Sequence, residues 1–336
     1  MAEYIIKEKN GEKITVRDLQ LEILTIMDEV DRVCRKNKIK YALHAGSSLG
    51  IVNYKGFIPW DDDIDVIVNK DDYHKFIKAL KKDLKKDFVF QCYETNKKYN
   101  VLIPNMKIRK KNTFITESNT FLKNRCNDSN GIFVDVIWYG NVSENEATNQ
   151  INRLWMKFLM PLVVFLDNLH IDFKPLKNYI VRYGERFSDK NKDSKYCSQT
   201  ISIPWEKLFN YPKFLKEDIY PFKEYDFEGR KYYSYNNIPK VMKEWYGEKS
   251  VCQLIDGKYI DVYPENKRVP KHTADINLKN GYHKIDYKDI AMKMFGYLSL
   301  LMFVITFVLM NDASLPFCGL GIIFLGISIL LYNNRF

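Results

Sequence analysis

GFIPWDDDIDVIV, residues 56–68, places four aspartates within five positions of a stretch that otherwise alternates like a β-strand. Aspartate is depleted from strands, and two carboxylates about 4 Å apart repel by roughly 4 kcal/mol at an effective dielectric near 20. Something must offset that repulsion. Because strand side chains alternate with period two, Asp61, Asp63 and Asp65 are predicted on one face and Asp62, Ile64, Val66 and Val68 on the other. The apolar face can enter a core while the acidic face looks into a cleft. Carboxylates at i and i+2 stand roughly 6.5 to 7 Å apart at Cα, close enough to share one divalent cation or a pair of them. A bound metal is therefore the simplest compensation, and the competing reading is a solvated acidic turn after Pro59.

The chain of 336 residues has room for about two domains, each able to bury a core without covalent staples. Its cysteines, at 34, 92, 126, 197, 252 and 318, form no C-x-x-C pair and no Cys/His cluster, so neither a zinc site nor a disulfide framework is indicated. The first residues, MAEYIIKEKNGEKITV, have no apolar core of the kind a cleaved secretory signal needs. A formal charge of +10 suits anionic lipid, nucleic acid or phosphorylated substrates alike. No zinc-finger, RNP-type or long basic-helix pattern is present, which argues against a nucleic-acid substrate. Near the C-terminus, Met294–Met310 and Leu315–Tyr332 are uncharged stretches joined by a short polar link, the pattern of a transmembrane helical hairpin. Lys288, Lys293 and Arg335 flank its outer ends, so the positive-inside rule predicts a multi-pass protein of the cytoplasmic membrane, with both termini and the large N-terminal part facing the cytoplasm.

Along the rest of the chain, Thr15-x-x-Asp18 has the form of a capping box, and Leu19, Ile23, Ile26, Met27, Val30 and Val33 follow at helical spacing. A short strand, IKYALHA, runs into GSSLG and a brief helix before the acidic strand. Asn69 or Asp71 is expected to cap another helix with Phe76, Ile77, Leu80 and Leu84 inward. DFVFQCY, MKIRKKNTFI and NGIFVDVIWYG read as strands, the last with Phe133, Asp135 and Ile137 on one face, so Asp135 is a carboxylate among apolar neighbours that needs a partner. Residues 151–170, an apolar run interrupted by Arg153, Lys157, Pro161 and Asp167, read as an interfacial or buried helix in preference to a third span, and 222–247 as a hairpin about Glu228-Gly229 followed by a helix near Pro239. The expected division is a catalytic core over 1–140, an accessory region over 141–287 and the membrane hairpin over 288–336.

A Gly-Ser turn that opens a helix presents backbone N–H groups and a hydroxyl to phosphate oxygens. Gly46-Ser47-Ser48 stands one short helix and one loop ahead of the Asp63-x-Asp65 pair, and Asp135 follows on a later strand. Strand, Gly-Ser, helix, acidic strand and second acidic strand is the order of a nucleotidyltransferase-like palm, an α/β (α+β) fold built on a mixed sheet. Lys107 and Arg109, two apart on a predicted strand, would share a face and could hold donor phosphates, against the reading of an exposed basic edge strand. Lys55, just ahead of the acidic run, is a further basic candidate. His44 reads as a structural hydrogen-bonding group, and His272 is unplaced.

The run HAGSSLGIVNYKGFIPWDDDIDVIVNKDDYHKF resembles the LicD family, which includes the fukutin-related proteins, in its glycine turn, its K-G-F-I-P-W lead and its D-D-D-I-D core. Weaker similarity continues through MKIRKKNT, GIFVDVIW, FEGRKYY, KEWYG and PENKRVPKH, so that it covers roughly residues 15–275. The sequence departs from the family pattern at Asn53, where a basic residue is common, and at Asp135-Val136-Ile137-Trp138, which replaces a proline-containing run. The resemblance implies transfer of a phosphorylated alcohol, such as phosphocholine or ribitol phosphate, from a CDP-activated donor to a glycan. It also implies metal ligation by Asp63 and Asp65, with Asp135 as the third acid, and phosphate contacts at Gly46 and Ser47. Expected partners are Mg²⁺ or Mn²⁺, held by Asp61, Asp63, Asp65 and Asp135, and a glycan or teichoic-acid-like acceptor, lipid-linked at the membrane. The rival readings are a D-x-D glycosyltransferase using a nucleotide sugar and a non-catalytic membrane-anchored binding protein.

Overall fold

A computed structural model describes residues 4–9, 12–92, 94, 106–116, 131–168, 171–201, 211–247, 252–255, 258–261, 269–276, 287–309 and 315–333. The chain opens with a hairpin, β1 (Ile5–Lys9) and β2 (Glu12–Thr15), and enters α1 (Val16–Lys36). Thr15 caps that helix as predicted: its hydroxyl accepts from the Asp18 amide while the Asp18 carboxylate accepts from the Thr15 amide at 2.8 Å. There follow β3 (Tyr41–Leu43), α2 (Ala45–Tyr54), β4 (Asp65–Asn69) and α3 (Lys70–Asp83), the last capped by the Asn69 side chain. Next come β5 (Phe88–Gln91), β6 (Met106–Lys110), β7 (Phe114–Thr116) and β8 (Phe133–Asn141), then α4 (Glu146–Asn168) and α5 (Lys174–Lys190). The remainder holds β9 (Tyr196–Ser198), β10 (Phe214–Leu215), α6 (Lys216–Ile219), β11 (Lys223–Phe227), β12 (Arg230–Ser234), α7 (Ile238–Tyr246), β13 (Cys252–Ile255), β14 (Lys258–Asp261), β15 (Thr273–Asp275), α8 (Tyr287–Leu309) and α9 (Leu315–Asn333).

The central sheet is mixed and seven-stranded, and β8 is its axis. One side of β8 pairs in parallel with β4, which pairs antiparallel with β3. On its other side β8 changes partner along its length: its first half pairs with β6, which continues to β5, and its end pairs with β9, which continues to β10. Alternation then divides the residues. Val66, Val68, Val134, Val136 and Trp138 are buried beneath α1 and α3, with Trp138 edge-on to Tyr73 at 5.2 Å. Asp65, Lys107, Phe133, Asp135 and Tyr139 belong to the opposite face, where α2, α7 and the segment 270–272 gather.

Two elements reach this face from far along the chain. The hairpin β11–β12 turns at Glu228 and Gly229, both at positive φ (53° and 71°), as the sequence anticipated. Glu228 accepts from the Phe57 amide, donates its own amide to the Lys55 carbonyl at 2.8 Å and pairs with Arg17 at 2.7 Å, so the turn grips the chain just before the aspartates. Gly56 is required there, since a Cβ would lie 2.4 Å from a Glu228 oxygen. Strand β15 pairs with β7 and brings residues 270–272 across the sheet.

The structure corrects two expectations. The aspartates do not all lie in a strand: Pro59 occupies the second position of a turn closed by the Asp61 amide on the Ile58 carbonyl (2.9 Å), and pairing begins only at Asp65. The predicted membrane hairpin, and the multi-pass localisation with it, is overturned. Helices α8 and α9 do pack together, but among the described residues no helix is long and apolar enough to cross a membrane. Counting uncharged residues did not weigh length and mean hydropathy together; the two helices meet through hydroxyls as well, Ser299 donating to the Gly321 carbonyl at 2.7 Å and Ser328 to the Met292 carbonyl at 2.8 Å.

Candidate active site

The parallel register sets Asp65 of β4 directly beside Asp135 of β8, and the antiparallel register on the other side sets Lys107 of β6 beside the same Asp135. Neighbouring strands lie about 4.8 Å apart, so three charged side chains leave one face of the sheet in a row. Lys107 is buried, and its ammonium reaches Asp135 at 2.8 Å while standing 3.3 Å from the centroid of the Phe133 ring. This supplies the partner that Asp135 needed. It also gives a buried ammonium the pairing without which its desolvation would be prohibitive.

Asp61 and Asp63 approach the same row from the turn. Burial raises the Asp65 carboxyl well above the usual carboxylate range, and the charges of Asp63, Asp135 and Asp61 add to it, with Lys107 as a partial counterweight. Asp61 is raised by burial and by Asp63, against the pull of Lys271. The start of α2 closes on this group. A Cβ on Gly46 would stand 2.8 Å from an Asp61 oxygen, so glycine lets the carboxylate rest against the first turn of that helix where any other residue would make it turn away. Ala45 beside it is held at φ 46°, a left-handed conformation that an L-residue adopts at a cost.

The sequence-derived candidates separate by place. Ser47 is buried, and its hydroxyl accepts from the Asp65 amide at 3.2 Å, tying the helix start to the strand start. Ser48 lies in the core, where its hydroxyl donates to the Leu43 carbonyl at 2.9 Å and bonds Ser234. Lys107 and Arg109 share a face as expected, but β6 runs between β5 and β8 and is no exposed edge. The guanidinium of Arg109 is buried and donates to Gln91 at 2.8 Å and to the Gly131 carbonyl at 2.7 Å. Lys55 is exposed and sits at the far end of α2 from Gly46, roughly 13.5 Å away at 1.5 Å per residue. His44 is a structural group, as read from the sequence: it is fully buried between the hydroxyls of Tyr235 and Tyr139, and burial lowers its pKa to about 3, which keeps it neutral.

Other residues reach the site without a local signal in the sequence. Asp62, on the opposite side from its neighbours, is 1% exposed and accepts the amides of Lys271 and His272 on one oxygen and the His272 ring nitrogen on the other at 2.9 Å. The His272 ring stands edge-on to Phe133 at 5.9 Å. Tyr246, at the end of α7, has its phenol pushed up by burial and by the charges of Asp61, Asp65 and Asp63, so it keeps its proton and offers the site a donor. Only later strands and helices bring these groups close.

A divalent cation fits the arrangement. Asp61, Asp63, Asp65 and Asp135 offer hard oxygen ligands whose mutual repulsion is only partly met by Lys107 and Lys271. Asp62, Asp63 and His272 also bring ligand atoms within 4.8 Å of one another, but both Asp62 oxygens are already occupied by residues 271 and 272, which makes this group a structural clasp.

Residues 38–162 match the family model described as the LicD/FKTN/FKRP nucleotidyltransferase domain. Over that span the chain is similar to the LicD-family domain. It is 24% identical over 286 residues to the lipopolysaccharide cholinephosphotransferase LicD of Haemophilus influenzae, covering 78% of this chain and 98% of that protein. Uncharacterised proteins of Rickettsia prowazekii and Rickettsia typhi are 38% identical over 55 residues, 16% of this chain and 21% and 18% of theirs. The LicD-family span opens just before β3 and closes within α4. It therefore includes every carboxylate of the cluster, whereas Glu228, Tyr246, Lys271 and His272 fall beyond it.

Proposed function

We propose that the chain is a phosphotransferase that moves phosphocholine from CDP-choline to a hydroxyl of a cell-surface glycan, as the name of its Haemophilus relative suggests, with release of CMP. The observation that supports this most is the row Asp65, Asp135 and Lys107 on adjacent strands, closed by Asp61 and Asp63 from the turn. Asp61, Asp63 and Asp65 would hold Mg²⁺ or Mn²⁺, which when bound offsets the negative charge of the donor diphosphate. Lys107 fixes the Asp135 carboxylate in direction, so that one of its oxygens can take the proton of the acceptor hydroxyl. The acceptor oxygen then forms a bond to the choline-bearing phosphorus as the bond from that phosphorus to the bridging oxygen breaks. The electron pair leaves on CMP and the proton rests on Asp135. Holding donor and acceptor in line is the larger part of what the protein supplies.

The test is incubation of the purified protein with CDP-choline, CDP-ribitol or UDP-sugars, with and without Mg²⁺ and with a glycan acceptor. CMP formation from CDP-choline that requires Mg²⁺ and is abolished by Asp63→Asn or Asp65→Asn is expected. Release of UDP from a nucleotide sugar, or turnover insensitive to both substitutions, would sink the reading.

A further inference from the structure

The clasp's first anchor is a lysine of which only the backbone serves the clasp. Asp62 fixes the backbone of residues 271 and 272 through two amides and the His272 ring, and Phe133 backs that ring from the floor of the site. Beyond it, β15 pairs with β7, with Thr273 opposite Thr116, so the segment is held at Lys271 and on its C-terminal side. The Lys271 backbone is thus one hydrogen bond from Asp62, whose chain neighbours Asp61 and Asp63 face the cluster. Among the described residues no carboxylate oxygen lies within 4.0 Å of its ammonium, and part of the residue is open to solvent. It nonetheless feels the charges of Asp63, Asp61, Asp62 and Asp65. Lys107 differs, since it is buried and already committed to Asp135. Arg109 is committed to Gln91 and Gly131, and Lys55 stands at the wrong end of α2.

We propose that Lys271 is a phosphate-binding residue of this site, held by the Asp62–His272 clasp so that its ammonium meets the diphosphate of a nucleotide-linked donor at the rim of the acidic cluster. The proposal rests on the reading of a diphosphate donor given above. A diphosphate brought in with a divalent cation presents oxygens that the carboxylates cannot bind directly. A partly exposed, rigidly based ammonium beside them is the complementary group, and a charge-assisted contact of this kind gives about ten-fold or more in affinity.

The experiment compares full-length wild type, Lys271→Met and Lys271→Arg by calorimetric titration with Mg²⁺ alone, with Mg²⁺-pyrophosphate and with CDP-choline plus Mg²⁺. Lys271→Met is expected to melt like wild type, to bind Mg²⁺ alone at least as well, and to bind Mg²⁺-pyrophosphate about ten-fold or more weakly, with Lys271→Arg recovering most of the loss. A Met variant that binds Mg²⁺ more tightly and pyrophosphate unchanged would make Lys271 only a counter-ion of the carboxylates and overturn the proposal, as would a wild type that does not bind Mg²⁺-pyrophosphate. Lys271-dependent pyrophosphate binding without CMP release from CDP-choline would uphold the proposal and discard the transferase reading.

Discussion

Replacing Asp62 by asparagine tests whether the D-D-D run is uniformly catalytic or divided between chemistry and architecture. Asp62 is 1% exposed and accepts three hydrogen bonds, from the amides of Lys271 and His272 and from the His272 ring. Hydrogen bonds to an ionised group contribute about 1.5–3 kcal/mol each, against about 1 kcal/mol for neutral pairs. Asparagine keeps the shape and can still accept the two amides, but it loses the charge and turns an amide group toward the His272 ring. A loss of about 2–3 kcal/mol follows, which in a chain of this size lowers the melting temperature by roughly 3–4 °C. The effect should depend on pH in one direction. Burial works to raise the Asp62 pKa, but the His272 bond and charge and the two amides outweigh it and hold the group below 3.8. The stabilisation is therefore fully present above the unfolded value and is lost as pH falls through the folded one, so the gap between wild type and variant narrows below about pH 4. Thermal melts from pH 3 to 8 in chelator measure this. An Asp62→Asn protein that melts higher than wild type and loses a Mg²⁺-induced shift would show Asp62 to be a ligand and the clasp reasoning to be wrong.

Asp65 has the opposite sign: its raised folded pKa means the native state binds more protons above about pH 4, so cation-free stability contributed by this group falls as pH rises through that window. Asp65→Asn should therefore melt higher than wild type at pH 7 in chelator and respond less to Mg²⁺, and a lower melting temperature would count against carboxylate crowding. Gly46→Ala, whose Cβ would meet a rotatable Asp61 carboxylate at 2.8 Å, is expected to fold within about 1 kcal/mol of wild type and bind Mg²⁺ about ten-fold more weakly. Gly50→Ala, whose Cβ would lie 2.2 Å from the Gly56 carbonyl oxygen, is expected to lose more than 3 kcal/mol, and equal stability of the two variants in urea would refute the contrast. Lys107→Met should cost about 3–5 kcal/mol by stranding the Asp135 carboxylate, with much of the loss recovered when Asp135→Asn is added; additive losses in that cycle would deny the pairing.

Local chemistry wrote the caps, helix stripes and turns of the fold plainly. The Thr15 and Asn69 caps, the inward stripe of α1 and the Glu228-Gly229 turn all depend on residues within four positions of one another, and each stands where the sequence put it. The alternation behind Asp65 and around Asp135 likewise led to the correct faces. The facts that needed the whole chain were hidden. Asp62 was expected to point away from the acids, but its tie to His272 spans 210 positions and has no local trace. Arg109 and Ser48 have the composition of phosphate-binding groups, yet long-range packing turns them inward to Gln91, Gly131 and Ser234. At Asp61–Asp63 period-two counting overreached, because Pro59 builds a turn that strand periodicity does not represent. Near the C-terminus, the lack of charge was read as a membrane span, whereas among the described residues no helix is both long and apolar enough for one.

The grip of Glu228 on Phe57 spans 171 positions, and it fixes the lead into the aspartates. At about 5–20 residues per second, a ribosome takes roughly ten to thirty seconds to travel from one to the other. During that interval the acidic run has emerged, its helices can form, and its entry is still untethered. The lead into the aspartates thus gains its tether only with the β11–β12 turn, and Asp62 gains its own later still, with residues 271 and 272, so the restraints on the acidic run come from chain made after the sheet that must bear it.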